Sequence, residues 1–208
     1  MQSKSQYTCS FTAGGLLYHE TINVLELLIN EGAEENLFKE AFENKFIKIR
    51  SESARKRSLQ EIRLRARFTD HNFWIKFSDM SKREQQLILF FLSLKTYRLI
   101  FDFHFNITLP GWKTTGHIPD HFSYLMKLDE IASHDAEVNS WTESSRLKSV
   151  TVYKRMMNEA GLLQKDKLVY PDVSDQFWCF FFSKNEDWFP EACFLSMARR
   201  NELKELCK

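Results

Sequence analysis

Glycine and proline are scarce in this sequence, with 6 and 4 copies among 208 residues. All-β chains need many tight turns, and tight turns depend on these two residues, so the scarcity argues against an all-β fold. Hydrophobic residues make up 43% of the chain and include 19 phenylalanines, which is enough to bury a large core. The composition therefore predicts a mainly helical protein.

The sequence also lacks an apolar run long enough to cross a membrane. The strongest candidate, residues 87–92, is interrupted by Ser93 and Lys95 and then by Arg98. A membrane span needs about 20 mostly apolar residues. The first residues are polar and contain no apolar targeting segment. We therefore expect a cytoplasmic protein with no membrane partner.

Cysteine is rare, and its spacing fits no zinc pattern. The four copies are Cys9, Cys179, Cys193 and Cys207. Free thiols in a reducing compartment are the simplest expectation. His117 and His121 are four residues apart, but two imidazoles do not complete a metal site. We expect no metal and no cofactor.

Catalytic motifs are missing as well. The sequence has no Gly-x-Ser-x-Gly, and Gly14-Gly15 lacks the lysine and the spacing of a phosphate-binding loop. The adjacent carboxylates Asp129 and Glu130 point in different directions on a helix. We therefore expect no enzymatic activity and no small-molecule substrate.

What is present is a series of helical patterns, each with a recognisable start or end. Ser51 is a good helix N-cap, and Ser81 with Glu84 fits a capping box. His104 lies on an apolar helix and is predicted to be a hydrogen-bonded core residue. The predicted helices of the first half are 18–30, ended by Gly32, then 34–44, 51–68, 71–77 and 81–105.

A break at residues 109–116 is predicted to separate an N-terminal helical bundle, residues 1–109, from a C-terminal unit, residues 118–208. In the second unit, helices are predicted at 119–133, 135–140 and 142–160, with Gly161 as the last stop and a hairpin at 162–170. Pro119 suits the first turn of the first of these helices. The fold class is therefore mainly α: a helical bundle with a C-terminal winged helix-turn-helix-like unit carrying a short β-hairpin.

The predicted helix 142–160 divides into two faces. Leu147, Val150, Tyr153, Met157 and Ala160 are expected to pack inward. Small hydroxyl and basic side chains outside that stripe suit contact with DNA, and lysines at the hairpin tip suit the neighbouring backbone. The candidate contacts are Ser145, Arg146, Lys148, Ser149, Arg155, Lys165 and Lys167. The alternative is an ordinary solvated helix and hairpin, or a protein-binding module.

A second basic segment, residues 45–67, contains nine positive and two negative residues, a net charge of +7. Lys56, Arg63 and Arg67 share a helical stripe that could neutralise phosphates, and Arg55 is a further candidate. The alternative is a solvated helix face paired with nearby acidic residues. These are Glu34, Glu35, Glu40 and Glu43.

Three stretches of the chain, residues 7–17, 51–57 and 141–163, resemble the BrxA family. The resemblance implies a small helical protein of the BREX bacteriophage-defence system, similar in fold to bacterial antitermination factors. It also implies double-stranded DNA binding, and it assigns no catalytic residues. The family pattern has Asp-Pro-Glu before the tryptophan at position 141, where this chain has Asp135-Ala136-Glu137.

The expected function is therefore that of a non-enzymatic, double-stranded-DNA-binding accessory protein of a BREX system. One alternative is a protein-interaction subunit that docks onto larger defence proteins through its aromatic C-terminal region, residues 171–208. The dense aromatic stretch at 177–194 is expected to form either a buried seam or an interface. RNA binding is a third interpretation and depends on fold analogy.

Overall fold

Helices dominate the structure, a computed structural model that describes residues 5–207. The first half comprises α1 (Tyr18–Asn23), α2 (Leu25–Ile29), α3 (Ala33–Glu43), α4 (Glu52–Ala66), α5 (His71–Asp79), α6 (Lys82–Thr96), α7 (Arg98–Phe103) and α8 (Leu109–Thr115). A 3-10 turn, Ser10–Ala13, precedes α1, and a π-helical segment, His104–Thr108, joins α7 to α8.

The second half comprises α9 (His121–Ala132), α10 (Ala136–Asn139), α11 (Glu143–Glu159), β1 (Leu163–Gln164), β2 (Lys167–Leu168), α12 (Asp175–Ser183), α13 (Trp188–Ala192) and α14 (Met197–Leu206). The mainly helical class and the hairpin are confirmed.

The predicted helix starts depend on side-chain caps, and these are present. The hydroxyls of Ser51, Ser81 and Thr142 each accept a hydrogen bond from the backbone N–H three residues on. The Glu84 carboxylate in turn accepts a hydrogen bond from the backbone N–H of Ser81, which completes the capping box. Each cap satisfies a backbone donor that the first turn leaves free.

Two predicted helices are interrupted. The helix expected over 18–30 changes direction at Val24, and Gly32 begins α3 with φ of 75° instead of ending the previous helix. The helix expected over 81–105 breaks at Tyr97, whose backbone is extended. The hydroxyl of Tyr97 donates to buried Glu61, a tertiary contact that helical periodicity does not reveal.

The break predicted at residues 109–116 is wrong for most of that stretch. Pro110 lies in the first turn of α8, directly after the π-helical segment, and the helix ends at Gly116 with φ of 71°. Pro119 precedes the N-cap Asp120 and is therefore outside α9. The division of the chain into two units stays a prediction.

The hairpin gains a third segment from earlier in the chain. β1 and β2 are antiparallel, with Leu163 opposite Leu168. On the other edge of β2, Leu168 N–H donates to Gly116 O at 2.9 Å, and Ile118 N–H donates to Asp166 O at 2.9 Å. β2 therefore lies between β1 and residues 116–118.

The core contains a polar cluster built around His104. Its ring nitrogens bond to the Tyr153 hydroxyl at 2.9 Å and to Ala192 O at 2.7 Å. Complete burial lowers the pKa of His104 to about 4. The Thr108 hydroxyl joins the Tyr153 and Tyr124 hydroxyls at 2.6 and 2.7 Å. The prediction of a hydrogen-bonded core histidine is confirmed.

The C-terminal helices fold back onto the core and are linked by a disulfide. Cys179 in α12 bonds Cys207, and their Cα atoms are 5.3 Å apart. The prediction that all four cysteines are free is therefore wrong for this pair, while Cys9 and Cys193 are free. The error arose because spacing along the chain does not show which thiols the fold brings together.

Candidate nucleic-acid interface

The helix α11 presents a continuous polar face to solvent. Its exposed side chains are Glu143, Ser144, Leu147, Lys148, Thr151, Arg155 and Asn158. They recur every three or four residues and so share one side of the helix. The opposite side is buried and includes Val150, Tyr153, Met157 and Ala160, as predicted.

The inner face of α11 is rotated relative to the prediction. Leu147, expected to face inward, is 39% exposed. Ser149, expected to face outward, is fully buried, and its hydroxyl donates to Arg146 O at 2.7 Å. The reason is the turn Ser10–Ala13, which packs against α11 and extends its buried side.

Two further predicted contacts are held by the protein itself. One guanidinium nitrogen of Arg146 lies 2.6 Å from a carboxylate oxygen of Asp129, and another donates to Val138 O. Arg146 therefore connects α11 to α9 and α10. Ser145 is half-buried, and its hydroxyl lies 3.0 Å from that of the cap residue Thr142.

Arg155 and Lys148 lie along one edge of the exposed face. The guanidinium of Arg155 is 3.4 Å from Glu159 and packs against Gly15, where an added Cβ would lie 2.8 Å from a guanidinium nitrogen. Glu159 also accepts the backbone N–H of Leu16. Within residues 5–207, no carboxylate pairs with Lys148. Lys148 and half of the Arg155 side chain are therefore open to an anion.

The hairpin adds two exposed lysines directly after α11. Lys165 lies in the turn at a φ of 55°, and Lys167 is in β2. β1 contacts α11, so the hairpin and the helix form adjoining surfaces. By contrast, Lys154 of α11 is bound to Pro119 O at 2.8 Å, and burial lowers its pKa.

The basic segment of α4 is used very differently. Arg55, a predicted DNA contact, is buried, and it donates to Ala41 O at 2.7 Å and Ile49 O at 2.8 Å. The guanidinium therefore holds the loop between α3 and α4 instead of facing solvent. Sequence reasoning missed this because any of nine cations in the segment could have satisfied those carbonyls.

Arg65 is also buried and fixes the N-terminal segment. Its guanidinium donates to Gly15 O at 2.6 Å and Leu16 O at 2.7 Å, and it contacts the Tyr97 hydroxyl. Residues 10–16 thus lie between α4 and α11. The family-like stretch 7–17 therefore has a structural role.

The remaining cations of α4 are only partly free. Lys56 pairs with Glu52, and Arg63 pairs with Glu34 at 2.7 Å, as the acidic-neighbour alternative predicted. Arg67 is exposed at the end of the helix. Of the other acidic neighbours, Glu35 and Glu43 pair with Lys39 and Lys45, while Glu40 accepts the backbone N–H groups of Phe46 and Ile47.

Two other features are absent from the part of the chain that the structure describes. Among residues 5–207, no group of three His, Cys, Asp or Glu side chains is placed to hold a metal ion. None of the helices in that range has the length and apolar character needed to cross a membrane.

The fold and this surface define a class: a mainly helical protein with a hairpin-bearing C-terminal half and a polar, cationic helix face. The family model of BrxA matches residues 5–183, and the chain belongs to the BrxA family. This membership associates it with BREX bacteriophage defence, and the family is not a known enzyme family.

A solved structure has the same fold. The crystal structure of an uncharacterized protein from Magnetospirillum magneticum matches with a TM-score of 0.75 and 19% sequence identity, covering 91% of this chain and 98% of that one. At this identity the likeness shows the fold alone. No curated protein matches the chain.

Proposed function

We propose that this chain is a non-enzymatic accessory protein of a BREX system that binds double-stranded DNA. The observation that carries the proposal is the solvent face of α11. Hydroxyl, amide and cationic side chains recur there every three or four residues and so lie on one side of the helix. Lysine and arginine contact phosphates, while serine, threonine and asparagine can read base edges in the major groove. The exposed Leu147 suits contact with a thymine methyl group.

The surroundings of α11 support this use. The short helix α10, the turn to Thr142, the longer α11 and the hairpin follow the order of a winged helix-turn-helix unit. The two carboxylates of α11 itself, Glu143 and Glu159, lie at its two ends; Glu143 is exposed, and Glu159 is occupied by Leu16 N–H and Arg155. The middle of the face is therefore free of negative charge.

The proposed contacts are fewer than the sequence predicted. Lys148, Arg155, Lys165 and Lys167 are assigned to phosphates, and Ser144, Thr151 and Asn158 to base edges. Thr151 donates to Leu147 O and Asn158 to Leu163 O, but both side chains are exposed and keep further hydrogen-bonding groups. Ser149 and Arg55 are left out because they are buried, and Ser145 and Arg146 are left out because protein groups hold them. Four phosphate contacts predict a salt slope, log Kd against log salt, of roughly 3 to 4.

Fluorescence anisotropy with a labelled duplex, measured over a salt series, tests the proposal. The double variant Lys148→Ala, Lys165→Ala should weaken binding about tenfold or more and lower the salt slope by about 2. Lys56→Ala on α4 is the matched control and should behave like the unaltered protein. Binding that is absent even at low salt would refute DNA binding, and an unchanged slope in the double variant would refute the assigned surface.

Competition between duplex RNA and duplex DNA separates RNA binding from DNA binding, and the burial of the aromatic side chains bears on protein docking. A duplex RNA that competes as well as DNA of the same sequence would favour RNA binding. For protein docking, the aromatic side chains that motivated the idea form a buried seam, with Phe177, Trp178, Phe181, Phe189 and Phe194 all inside. This burial favours DNA binding over docking through the aromatic residues of 171–208.

A further inference from the structure

A cleft of about 700 Å³ lies where the end of α4, the helix α5 and the helix α12 meet. It is separate from the proposed DNA surface, because no residue of α11 or of the hairpin lines it. Its volume falls within the range of about 300–1,000 Å³ that is usual for small-molecule sites. One wall comes from α12, in the C-terminal region that the sequence suggested as a surface for docking onto other proteins.

Aromatic rings form much of the surface of this cleft. Phe68 is 49% exposed at its edge. Phe73 of α5 and Phe180 of α12 are half-buried, with ring centroids 6.0 Å apart. The ammonium of Lys95 lies 5.5 Å from the centroid of the Phe68 ring. A planar ring can therefore stack on Phe68 or insert beside the Phe73–Phe180 pair.

The charge in the cleft is unbalanced. Arg67, Lys76 and Lys184 line it and are exposed, and within residues 5–207 no carboxylate pairs with any of the three. The two carboxylates of the lining are already engaged. Asp70 accepts the N–H of Phe73 at 2.8 Å as the cap of α5, and Glu186 pairs with Lys95 and accepts from the Trp188 indole.

We propose that this cleft binds a nucleoside phosphate. Its base would stack on the aromatic surface formed by Phe68, Phe73 and Phe180, and its phosphates would contact Arg67, Lys76 and Lys184. A ligand that is both planar and anionic is the class that uses aromatic rings and unpaired cations together. Sequence reasoning named Arg67 as a phosphate contact but did not find the rest of this site, because its members are spread over residues 67–186.

The nucleoside phosphate has two sources, a free nucleotide or the end of a nucleic-acid strand. Isothermal titration of the full chain with ATP, pyrophosphate, adenosine and a 5′-phosphorylated single-stranded oligonucleotide distinguishes them. We expect ATP to bind at least about tenfold more tightly than either pyrophosphate or adenosine, since each of these offers only half of the chemistry. The tighter of ATP and the oligonucleotide identifies the source.

Three substitutions, made in two variants, locate the ligand in the cleft. Phe68→Ala should weaken ATP binding and leave pyrophosphate binding unchanged, whereas Lys76→Ala with Lys184→Ala should weaken both about tenfold or more. All three side chains are exposed, so these variants should keep the fold, which thermal unfolding would check. Arg57→Ala, an exposed cation of α4 outside the cleft, is the matched control.

The outcomes are independent of the DNA proposal. Lys148→Ala should leave ATP binding unchanged, and the cleft variants should leave duplex binding through α11 unchanged. Failure of ATP and of the oligonucleotide to bind at low salt would overturn the nucleotide site. Equal affinity for ATP and pyrophosphate would overturn it too, as would ATP binding that is insensitive to all three substitutions.

Discussion

The basic helices α4 and α11 look alike as sequences and serve different purposes in the fold. In α4, Arg55 and Arg65 are buried and donate to backbone carbonyls. In α11, Lys148 and half of Arg155 face solvent. In the segment with more positive charge, Arg55 and Arg65 thus hold the fold, while Arg57 and Arg67 stay exposed with no carboxylate partner within residues 5–207. The charge counted along a chain therefore does not measure the charge that the folded protein presents to a partner.

The difference follows from the neighbours of each helix. α4 packs beside two irregular segments, residues 10–16 and the loop after α3, whose carbonyl groups need donors. A guanidinium has five N–H groups in a fixed fork and can satisfy several such carbonyls at once. α11 is buried on the side that faces the core and has polar side chains on the other. On that outer side Lys148 has no carboxylate partner within residues 5–207, and Arg155 is held by Glu159 and Gly15 along only part of its side chain.

The largest effect is expected at Arg65. Arg65→Met should lower the free energy of unfolding by about 3–5 kcal/mol, because it leaves the buried carbonyls of Gly15 and Leu16 without their charged donor. Urea denaturation measures the change. Arg67→Met, exposed on the same helix, is the control and should stay within about 0.5 kcal/mol of the unaltered protein. Similar free energies of unfolding for the two variants would mean that buried Arg65 contributes no more to stability than exposed Arg67.

A smaller effect is expected from the titration of His104, which holds the inner face of α11 through Tyr153. Burial lowers the folded-state pKa of His104 to about 4, below its ordinary value of 6.5. The unfolded chain therefore binds the proton first. Stability associated with neutral His104 is fully present above pH 6.5 and is lost as the pH falls towards 4, by about 3 kcal/mol in total.

The variant His104→Gln isolates this contribution. Its free energy of unfolding should be lower at pH 7.5, because glutamine fits the two hydrogen bonds less well, but its decline between pH 6.5 and 4 should be shallower by about 3 kcal/mol. Carboxylates that titrate in the same window are common to both proteins and cancel in the difference. Parallel pH profiles would show that His104 is accessible to protons in the folded state.

A third prediction concerns one cation on each side of α11. Lys148→Ala should leave stability unchanged, weaken duplex binding about three- to tenfold and lower the salt slope by about 1. Arg146→Ala should instead lower stability by about 1 kcal/mol, because half-buried Arg146 holds Asp129 and Val138 O. Anisotropy and urea denaturation on both variants measure the contrast. A salt slope that falls only in Arg146→Ala would reverse the assignment.

The smallest effect is expected at Lys56, which is exposed on α4 and pairs with Glu52 one turn earlier. Lys56→Ala should change the free energy of unfolding by less than about 0.5 kcal/mol and leave DNA affinity unaltered. Loss of DNA affinity in this variant would mean that α4 also contacts the duplex, as the sequence first suggested.

Local features of the fold were predictable from the sequence, and features set by distant neighbours were not. The caps Ser51, Ser81 and Thr142 and the hairpin depend on residues a few positions apart, and all were found. The break at Tyr97, the burial of Arg55 and the Cys179–Cys207 bond depend on partners that the chain brings together only when folded. Periodicity groups the residues of α11 into faces but does not say which arc the N-terminal turn covers.

The third segment of the small sheet has a consequence for binding. An isolated two-stranded hairpin is at best marginally stable in water. Here residues 116–118 hydrogen-bond to the outer edge of the hairpin, so the turn bearing Lys165 is ordered before any partner arrives. Association then loses little conformational entropy at the tip, and the complex can form by rigid docking without a folding step in the loop.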